Sequence, residues 1–499
     1  MLPMEQLSAL IQEHLGQGWD PAPGAAAWVA GESALGGRGL LAVRDIAPGQ
    51  VLFVDHPLLC GPRSGTNIHR GCTVCSKIND QTSFKCPKCS LLLCSVECQS
   101  STAHHNDCAL ITRWPNKVPI EEVDDTLLSR ALTSIRALLL DEKSRQFLCT
   151  LQAHFQPPHG NEVRDLSKYF DIPKEEEKLM ILASCVLDAN AYQISNQYGE
   201  GDMHKRGLYP VASLMNHDCV PNTRHAFNSD FHMIVIAVKA IPAGAELCTC
   251  YTGLLWGTPA RRVHLAKTKH FLCACARCAD PFEGGTLLAA LKCFQAECGG
   301  LLLPARPLQA AAPWRCMECD LQVPASNVAD VQRALGSLVS TVDLEDVDGL
   351  EKFLLERITK FIPKTNQIVL DIECRLIWLL GEKDGLRWHE LSEQRLSLKE
   401  RLCRGALRTL AALGAGDAYL RGLLLYHLHA ALAERARRAP LLYEELKPEI
   451  ESTIEQAYNI LKDGISGPPD LELRRRYLGP AAADKPREER FFILDNKSL

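Results

Sequence analysis

Between Cys72 and Cys108, eight side chains able to bind a metal fall within 37 residues: Cys72-x2-Cys75, Cys86-x2-Cys89, Cys94-x3-Cys98 and His104-x3-Cys108. So short a segment has too few large apolar side chains to fold around a core of its own, whereas two tetrahedral Zn2+ ions supply the missing free energy. With four ligands each, such ions keep no open position for a catalytic water, so the segment reads as a scaffold. His105 adjoins His104 and competes with it as a ligand.

Two further Cys-x2-Cys pairs, Cys275/Cys278 and Cys316/Cys319, extend the pattern in a chain of 499 residues and 22 cysteines. The N-terminus, Met1-Leu-Pro-Met-Glu-Gln-Leu, lacks the positive region and long apolar core of a secretory signal. No apolar run reaches the roughly 18 to 20 residues that span a bilayer, so no membrane association is expected. The expectation is an intracellular protein, whose reduced thiols serve metals rather than disulfides. Apolar and charged fractions of 46% and 23% are those of a soluble globular chain. A net charge of -5 and a pI near 6.4 argue against a broadly basic clamp, so nucleic-acid binding is not indicated.

Residues 1–27 read as a short helix ending near Gly16-Gln-Gly18, then a Pro/Ala/Gly linker. Short strands follow: Trp28-Val-Ala, Gly37-Arg-Gly-Leu-Leu-Ala-Val43 and Gln50-Val-Leu-Phe-Val54, the last two separated by the turn Ala47-Pro-Gly49. Gly37-Arg38-Gly39 is either an ordinary turn or a loop that lets a ligand approach the backbone. Residues 121–194 carry apolar positions at helical spacing, and core packing is their default role. Asn190, just after a helix over 181–188, is either a C-terminal cap or a pocket residue.

The most concentrated polar sequence lies downstream. Leu214-Met-Asn-His-Asp-Cys-Val-Pro-Asn222 is followed by a strand over 233–238, the turn Ile241-Pro-Ala-Gly244, and Glu246-Leu-Cys-Thr-Cys-Tyr251. Then comes Cys273-x-Cys275-x2-Cys278, three thiolates that leave a Zn2+ one ligand short. Taken alone, Asn222 caps a turn after Pro221 and Tyr251 is a buried strand tyrosine. In combination, Asn-His-x-Cys-x-Pro-Asn with Glu-Leu-x3-Tyr, downstream of the eight-ligand segment, resembles the family of protein-lysine methyltransferases that carry both SET and MYND domains.

The resemblance implies an α+β multidomain chain. Its parts would be the N-terminal helix and linker (1–27), the first part of a β-rich SET fold (28–71), an inserted MYND finger (72–108), a helical insert (109–189), the catalytic SET core (190–253) and a post-SET zinc segment (254–282). It implies interleaved finger ligation, with Cys72, Cys75, Cys94 and Cys98 at one ion and Cys86, Cys89, His104 and Cys108 at the other. Cys219 would complete the post-SET site with Cys273, Cys275 and Cys278. In SET domains the two polar segments thread together as a pseudoknot that brings the Asn-His pair and the tyrosine to one pocket. S-adenosylmethionine is the implied methyl donor, contacted by Gly37, Arg38, Gly39, Asn190, Ser213, Asn216, His217 and Tyr251, with Phe271 on the adenine. Tyr251 is the implied catalytic residue. The attacking lysine titrates near 10.4 when free, and a dry channel beside a sulfonium cation disfavours its ammonium form by desolvation and like charge, so no strong general base is needed. Where relatives place a second channel tyrosine, this chain has Lys269.

Cys293-x4-Cys298 and Cys316-x2-Cys319 resemble a zinc ribbon over 290–320, the alternative being reduced surface thiols. Cys60, Cys149, Cys185, Cys248, Cys250, Cys374 and Cys403 are left as packing residues. From 325 to 499 stripes such as Val369, Ile372, Leu376, Leu379 and Leu420, Leu424, Leu428, Leu432 predict an all-α domain. It resembles tetratricopeptide helices, although no 34-residue repeat is visible. The third cysteine set and the long helical end look most like the arthropod branch of the family. Two functions are consistent with this reading. One is a monomeric lysine methyltransferase acting on histone or non-histone proteins, whose finger binds proline-containing peptides or co-regulators. The other is an adaptor with a degraded site that acts as a transcriptional co-regulator.

Overall fold

The computed structural model of the chain describes residues 2–16, 26–62, 71–77, 83–194 and 205–495. The linker expected after the first helix lies outside them. Helix Met4–Leu15 buries Leu7, Leu10, Ile11 and Leu15, a stripe at helical spacing, against the first sheet system. At its end His14 Nε2 lies 2.9 Å from Asp55 Oδ1, and the other oxygen of this fully buried carboxylate accepts from Ala212 N–H at 2.7 Å. Asp55 thereby ties three distant segments together just ahead of Asn216.

Three small sheets surround one core that includes Trp28, Leu40, Phe53, Tyr209 and Met233. The sheet that positions the polar residues runs Trp28–Glu32, Arg38–Ala42, Glu246–Thr249, Asn216–His217. Its first three strands are antiparallel, while Asn216–His217 joins in parallel, with Asn216 opposite Cys248 and His217 opposite Thr249. The later strand is thus inserted between an early strand and the Asn-His segment, a pairing of high sequence separation that forms a threaded crossing. A second sheet, ordered Thr223–Phe227, Met233–Ala237, Val51–Asp55, and a third, ordered Leu59–Pro62, Lys205–Leu208, Tyr192–Ile194, complete the β-rich unit.

Side chains stitch the crossing where backbone pairing stops. Asn222 Nδ2 donates to the Glu246 carbonyl at 2.7 Å and its Oδ1 accepts from Cys248 N–H at 2.8 Å, while Thr223 Oγ1 donates to the Cys248 carbonyl at 2.9 Å. Asn222 therefore acts across the crossing and not only as a local turn cap. Gly39 is required by the same crossing: a Cβ there would sit 2.2 Å from Glu246 Oε1. That carboxylate cannot swing away freely, because it accepts from Asn216 Nδ2 at 2.6 Å and from Ser33 Oγ at 2.7 Å.

The finger region packs its cysteines with Leu91, Leu93 and Ile111 against helix Asp125–Ile135 and its neighbours, and Arg136 spans the junction through a bidentate ion pair to the buried Asp107. Beyond the β-rich unit, strands Leu291–Lys292, Leu301–Pro304, Trp314–Cys316 and Gln322–Val323 form a four-stranded sheet that shares a core with the following helices. Helices Gln367–Leu379, Glu393–Ala412, Tyr419–Arg438 and Tyr443–Leu461 pack in succession, and the final helix Arg487–Asp495 buries Phe491 and Ile493 in the same core. No helix among the described residues is long and apolar enough to cross a membrane.

Replacing Asn222 with Ala strands a carbonyl and an amide of the inserted strand and should lower stability by about 2 to 4 kcal/mol. Thermal denaturation should show a fall of several degrees, and Asn222→Asp should fall as well, because its second oxygen faces the Glu246 carbonyl with no proton to donate.

Candidate active site

The threaded crossing carries Asn216, His217 and Tyr251 to the wall of one cavity of about 1110 Å³. Gly37, Arg38, Asn190, Ser213, Lys269 and Phe271 line it too. Gly39 does not. Its backbone lies one residue beyond the wall, over Glu246 and Asn216, where it serves the crossing. The two open readings of Asn190 merge: helix Lys174–Asn190 runs two residues further than the periodicity suggests, and Asn190 sits in its last turn. There its Nδ2 donates to the carbonyls of Val186 and Gln152, both at 2.8 Å, while the residue faces the cavity.

His217 connects this wall to the four-cysteine cluster behind it. Tyr251 N–H donates to His217 Nδ1 at 3.0 Å, so that nitrogen is the acceptor and the proton of the neutral ring must reside on Nε2. Nε2 faces Cys219 Sγ at 3.2 Å, the donor geometry that a metal-bound thiolate accepts. Burial, reinforced by Arg261 and Arg277, holds the imidazole neutral, with its ionisation pushed down to about 4. Ring centroids of His217 stand 5.2 Å from Tyr251 and 6.0 Å from Phe271, which is half open to the cavity mouth.

Tyr251 itself spends its hydroxyl proton on the Met215 carbonyl at 2.6 Å. Burial raises its ionisation well above the ordinary range, so the phenol stays protonated and offers oxygen lone pairs, not a base. Asn216 Nδ2 donates to Glu246 and to the Arg38 carbonyl at 2.9 Å. Arg38 extends along the wall with Nη2 on the Thr150 carbonyl, while its Nη1 is buried with no hydrogen-bond partner. Lys269 occupies the position where a hydroxyl was expected. Its Nζ donates to the Ala189 carbonyl at 2.6 Å, at the negative end of helix Lys174–Asn190, and stands 5.4 Å from the Tyr251 ring centroid. Burial lowers its ionisation from the ordinary lysine value.

Four donor sets assemble: Cys72, Cys75, Cys94, Cys98; Cys86, Cys89, His104, Cys108; Cys219, Cys273, Cys275, Cys278; and Cys293, Cys298, Cys316, Cys319. Within each, the ligand atoms all lie within 4.8 Å of one another. The hydrogen-bond-range sulfur pairs, from 3.4 Å for Cys75/Cys94 to 3.9 Å for Cys219/Cys273, bracket the edge of about 3.8 Å that a tetrahedron with 2.3 Å Zn–S bonds requires. These sets suit Zn2+. His104 rather than His105 completes the second set, and its Nδ1 donates to the Gln99 carbonyl at 2.7 Å, freeing Nε2 toward the thiolates.

Several functional side chains escaped the sequence reading. Arg261 donates to Cys219 Sγ at 3.1 Å and to Glu283 at 2.7 Å, and Arg277 also reaches Glu283, at 3.2 Å. All three are at least nine-tenths buried. Four thiolates on a dication leave a double negative charge, and this Arg-Glu-Arg group returns one positive charge to it. Cys149 was expected to pack, yet it is exposed and lines the cavity with Gln152 and His154 from the helical insert. No spacing in the sequence links that insert to Tyr251.

A β-rich unit crossed by a parallel-paired insertion, with a tyrosine and an Asn-His pair on one cavity, is the SET architecture. The SET domain family model matches residues 37–252. SET domain-containing protein SmydA-8 of Drosophila melanogaster, isoform B, is 33% identical over 84% of this chain and 94% of its own length. Human histone-lysine N-methyltransferase SMYD3 is 28% identical over 48% of this chain and 59% of its own, and mouse N-lysine methyltransferase SMYD2 is 28% identical over 48% and 58%. A crystal structure of the SET domain of LSMT bound to lysine and AdoHcy covers 100% of both chains at 15% identity, with a TM-score of 0.28. The chain belongs to the SET and MYND domain-containing family, whose SET domains define a class of protein-lysine methyltransferases.

Metal analysis of the purified chain should return four zinc equivalents, one per donor set. Cys273→Ser should remove one and disorder the cavity wall, seen as increased proteolysis around residues 270–280, with little loss of helical circular dichroism.

Proposed function

We propose that this protein is an S-adenosylmethionine-dependent protein-lysine N-methyltransferase acting on histone or non-histone proteins in cytoplasm and nucleus. One observation carries the reading: the Asn216-His217 pair and Tyr251, more than thirty residues further on, share a cavity with a buried guanidinium atom that lacks a partner. The residues present fit the cofactor. Arg38 Nη1 is suited to a carboxylate, the Phe271 ring to a nucleobase face, and a volume near 1110 Å³ accommodates a nucleoside with an amino-acid arm. Glycine at 37, with φ of +74°, keeps the backbone beside Arg38 free of side chain.

When bound, S-adenosylmethionine supplies an electrophilic methyl group. The chain's part is to hold the acceptor. Tyr251, anchored through Met215 and through its own N–H on His217, presents a fixed oxygen that can accept from the lysine amine and aim its lone pair. The protonated phenol is no base, so the amine arrives neutral after losing its proton to solvent. A closed channel favours that loss by desolvation. The finger at 72–108 is proposed to recruit proline-containing peptides or co-regulators, and the arthropod branch is favoured by the long match to the Drosophila relative.

Lys269 favours a second reading, an adaptor whose SET site binds cofactor but turns over slowly. A resident cation close to the site where a sulfonium is to bind weakens that binding, and it replaces a hydroxyl in the wall.

Titration calorimetry with S-adenosylmethionine, followed by labelled methyl transfer to a protein array, tests the proposal. Tyr251→Phe should reduce transfer by about 100-fold while leaving cofactor affinity within about threefold. Binding without any transfer by the wild type would favour the adaptor. Lys269→Met should tighten S-adenosylmethionine relative to the uncharged S-adenosylhomocysteine, by on the order of 1 kcal/mol or about fivefold. An unchanged ratio would show that the lysine's charge is not felt at the sulfonium.

A further inference from the structure

A second cavity of about 350 Å³ lies between the SET unit and the C-terminal helices. Its walls include Thr249, Cys250 and Thr252 on one side and Tyr419 and Leu420 on the other, with Arg224 from strand Thr223–Phe227. Arg224 is 7% exposed, and its Nε and Nη1 have no hydrogen-bond partner. Among the described residues no carboxylate comes within ion-pair distance of it. Asp463 and Asp417 act on it without forming an ion pair, and the Asp417 carboxylate is already engaged by Arg421 Nη1 at 2.7 Å. A guanidinium cannot shed its proton to escape burial, and the desolvation of an unpaired buried charge is offset only when an anion enters. Burial lowers its ionisation, and the attraction of Asp463, Asp417 and Tyr419 does not make up for it.

The position of this cavity gives the anion a context. Cys250 and Thr252 line it, and they flank Tyr251, which borders the larger cavity. The two cavities are therefore joined through the short segment Cys250-Tyr251-Thr252, close enough for residues beside a lysine at Tyr251 to reach the second one.

We infer that the Arg224 cavity is a specificity subsite for a carboxylate side chain, aspartate or glutamate, on the same segment as the acceptor lysine. The inference rests on the methyltransferase reading for its connection to lysine, but not for the anion preference. Aromatic and aliphatic walls at Tyr419, Leu420 and Phe227 suit the methylene stem of glutamate, and the free edge of the guanidinium suits a two-point contact with the carboxylate.

The test uses the full zinc-loaded chain with S-adenosylhomocysteine and fluorescent peptide pools built on a central lysine. Each flanking position is fixed in turn as glutamate, glutamine, phosphoserine or serine. Binding is read by polarisation, and methyl transfer is read separately with labelled S-adenosylmethionine. At one or more positions the glutamate pool should bind about tenfold tighter than the glutamine pool, and Arg224→Met should shrink the ratio to about twofold or less. Arg224→Lys, which keeps the charge without the fork, should retain part of the preference. Melting temperature and S-adenosylhomocysteine affinity control for folding, and the wild-type ratio stands even if a variant fails to fold. Equal binding of glutamate and glutamine pools at every position, no peptide binding at all, a preference that survives Arg224→Met, or selection of phosphoserine alone would overturn the subsite. Acid-selective binding with no methyl transfer would support the subsite and count against the catalytic reading. Transfer without acid selectivity would do the reverse.

Discussion

The His217 imidazole is the contact on which the site depends. One nitrogen accepts from the Tyr251 backbone and the other faces the Cys219 thiolate, so a single ring couples the position of the phenol to the post-SET metal cluster. Because the ring is buried and neutral, only one tautomer satisfies both neighbours. The surrounding charges make that arrangement durable. Arg261, Arg277 and Glu283 are buried around the thiolates, and removing any one would leave its partners uncompensated in a low-dielectric setting. A Zn2+ held by these four thiolates would act on the cavity at one remove, through the Cys219–His217–Tyr251 hydrogen bonds rather than through an open coordination position.

The threaded crossing performs the complementary task of bringing remote segments together. Parallel pairing of only two residues would be weak by itself, and the Asn222 amide, Thr223 and Asp55 provide the polar contacts that lock it. Glu246 holds Asn216 from the inserted strand, which is why the glutamate of the Glu-Leu-x3-Tyr pattern belongs to the architecture of the site and not to its chemistry. Closing so long a loop carries an entropic cost that these contacts must offset. The helical C-terminal core and the Asp55 anchor hold the same unit from outside.

Much of this was legible in the residues. The four cysteine sets assembled as their spacing and the family resemblance suggested, because ligand geometry tolerates few alternatives once a tetrahedral ion is assumed. The strands at Trp28, Arg38, Val51 and Met233 were expected from apolar patterning and turn residues, whereas Glu246–Thr249 was expected only as part of a motif. Less legible were the features made by tertiary approach. Gly39 looked like part of a ligand loop but serves the packing of Glu246, and Cys149 looked like core but opens onto the cavity. Arg261, Arg277 and Glu283 carry no motif, and only the fold brings them to the thiolates. Lys269 was expected to stand where relatives carry a tyrosine, while its docking on the helix end at Ala189, 80 residues earlier in the chain, left no trace in the sequence.

The account reduces to one spatial claim: the cavity bordered by Arg38, His217 and Tyr251 is built for a nucleoside that bears a charged sulfur and an amino-acid arm. A crystal structure of the chain with S-adenosylhomocysteine tests it most directly. The predicted result places the carboxylate on Arg38 Nη1, the adenine against Phe271 and the sulfur facing the Tyr251 hydroxyl oxygen. Ligand density elsewhere, or a Tyr251 ring turned away from the sulfur with its hydroxyl off the Met215 carbonyl, would contradict it.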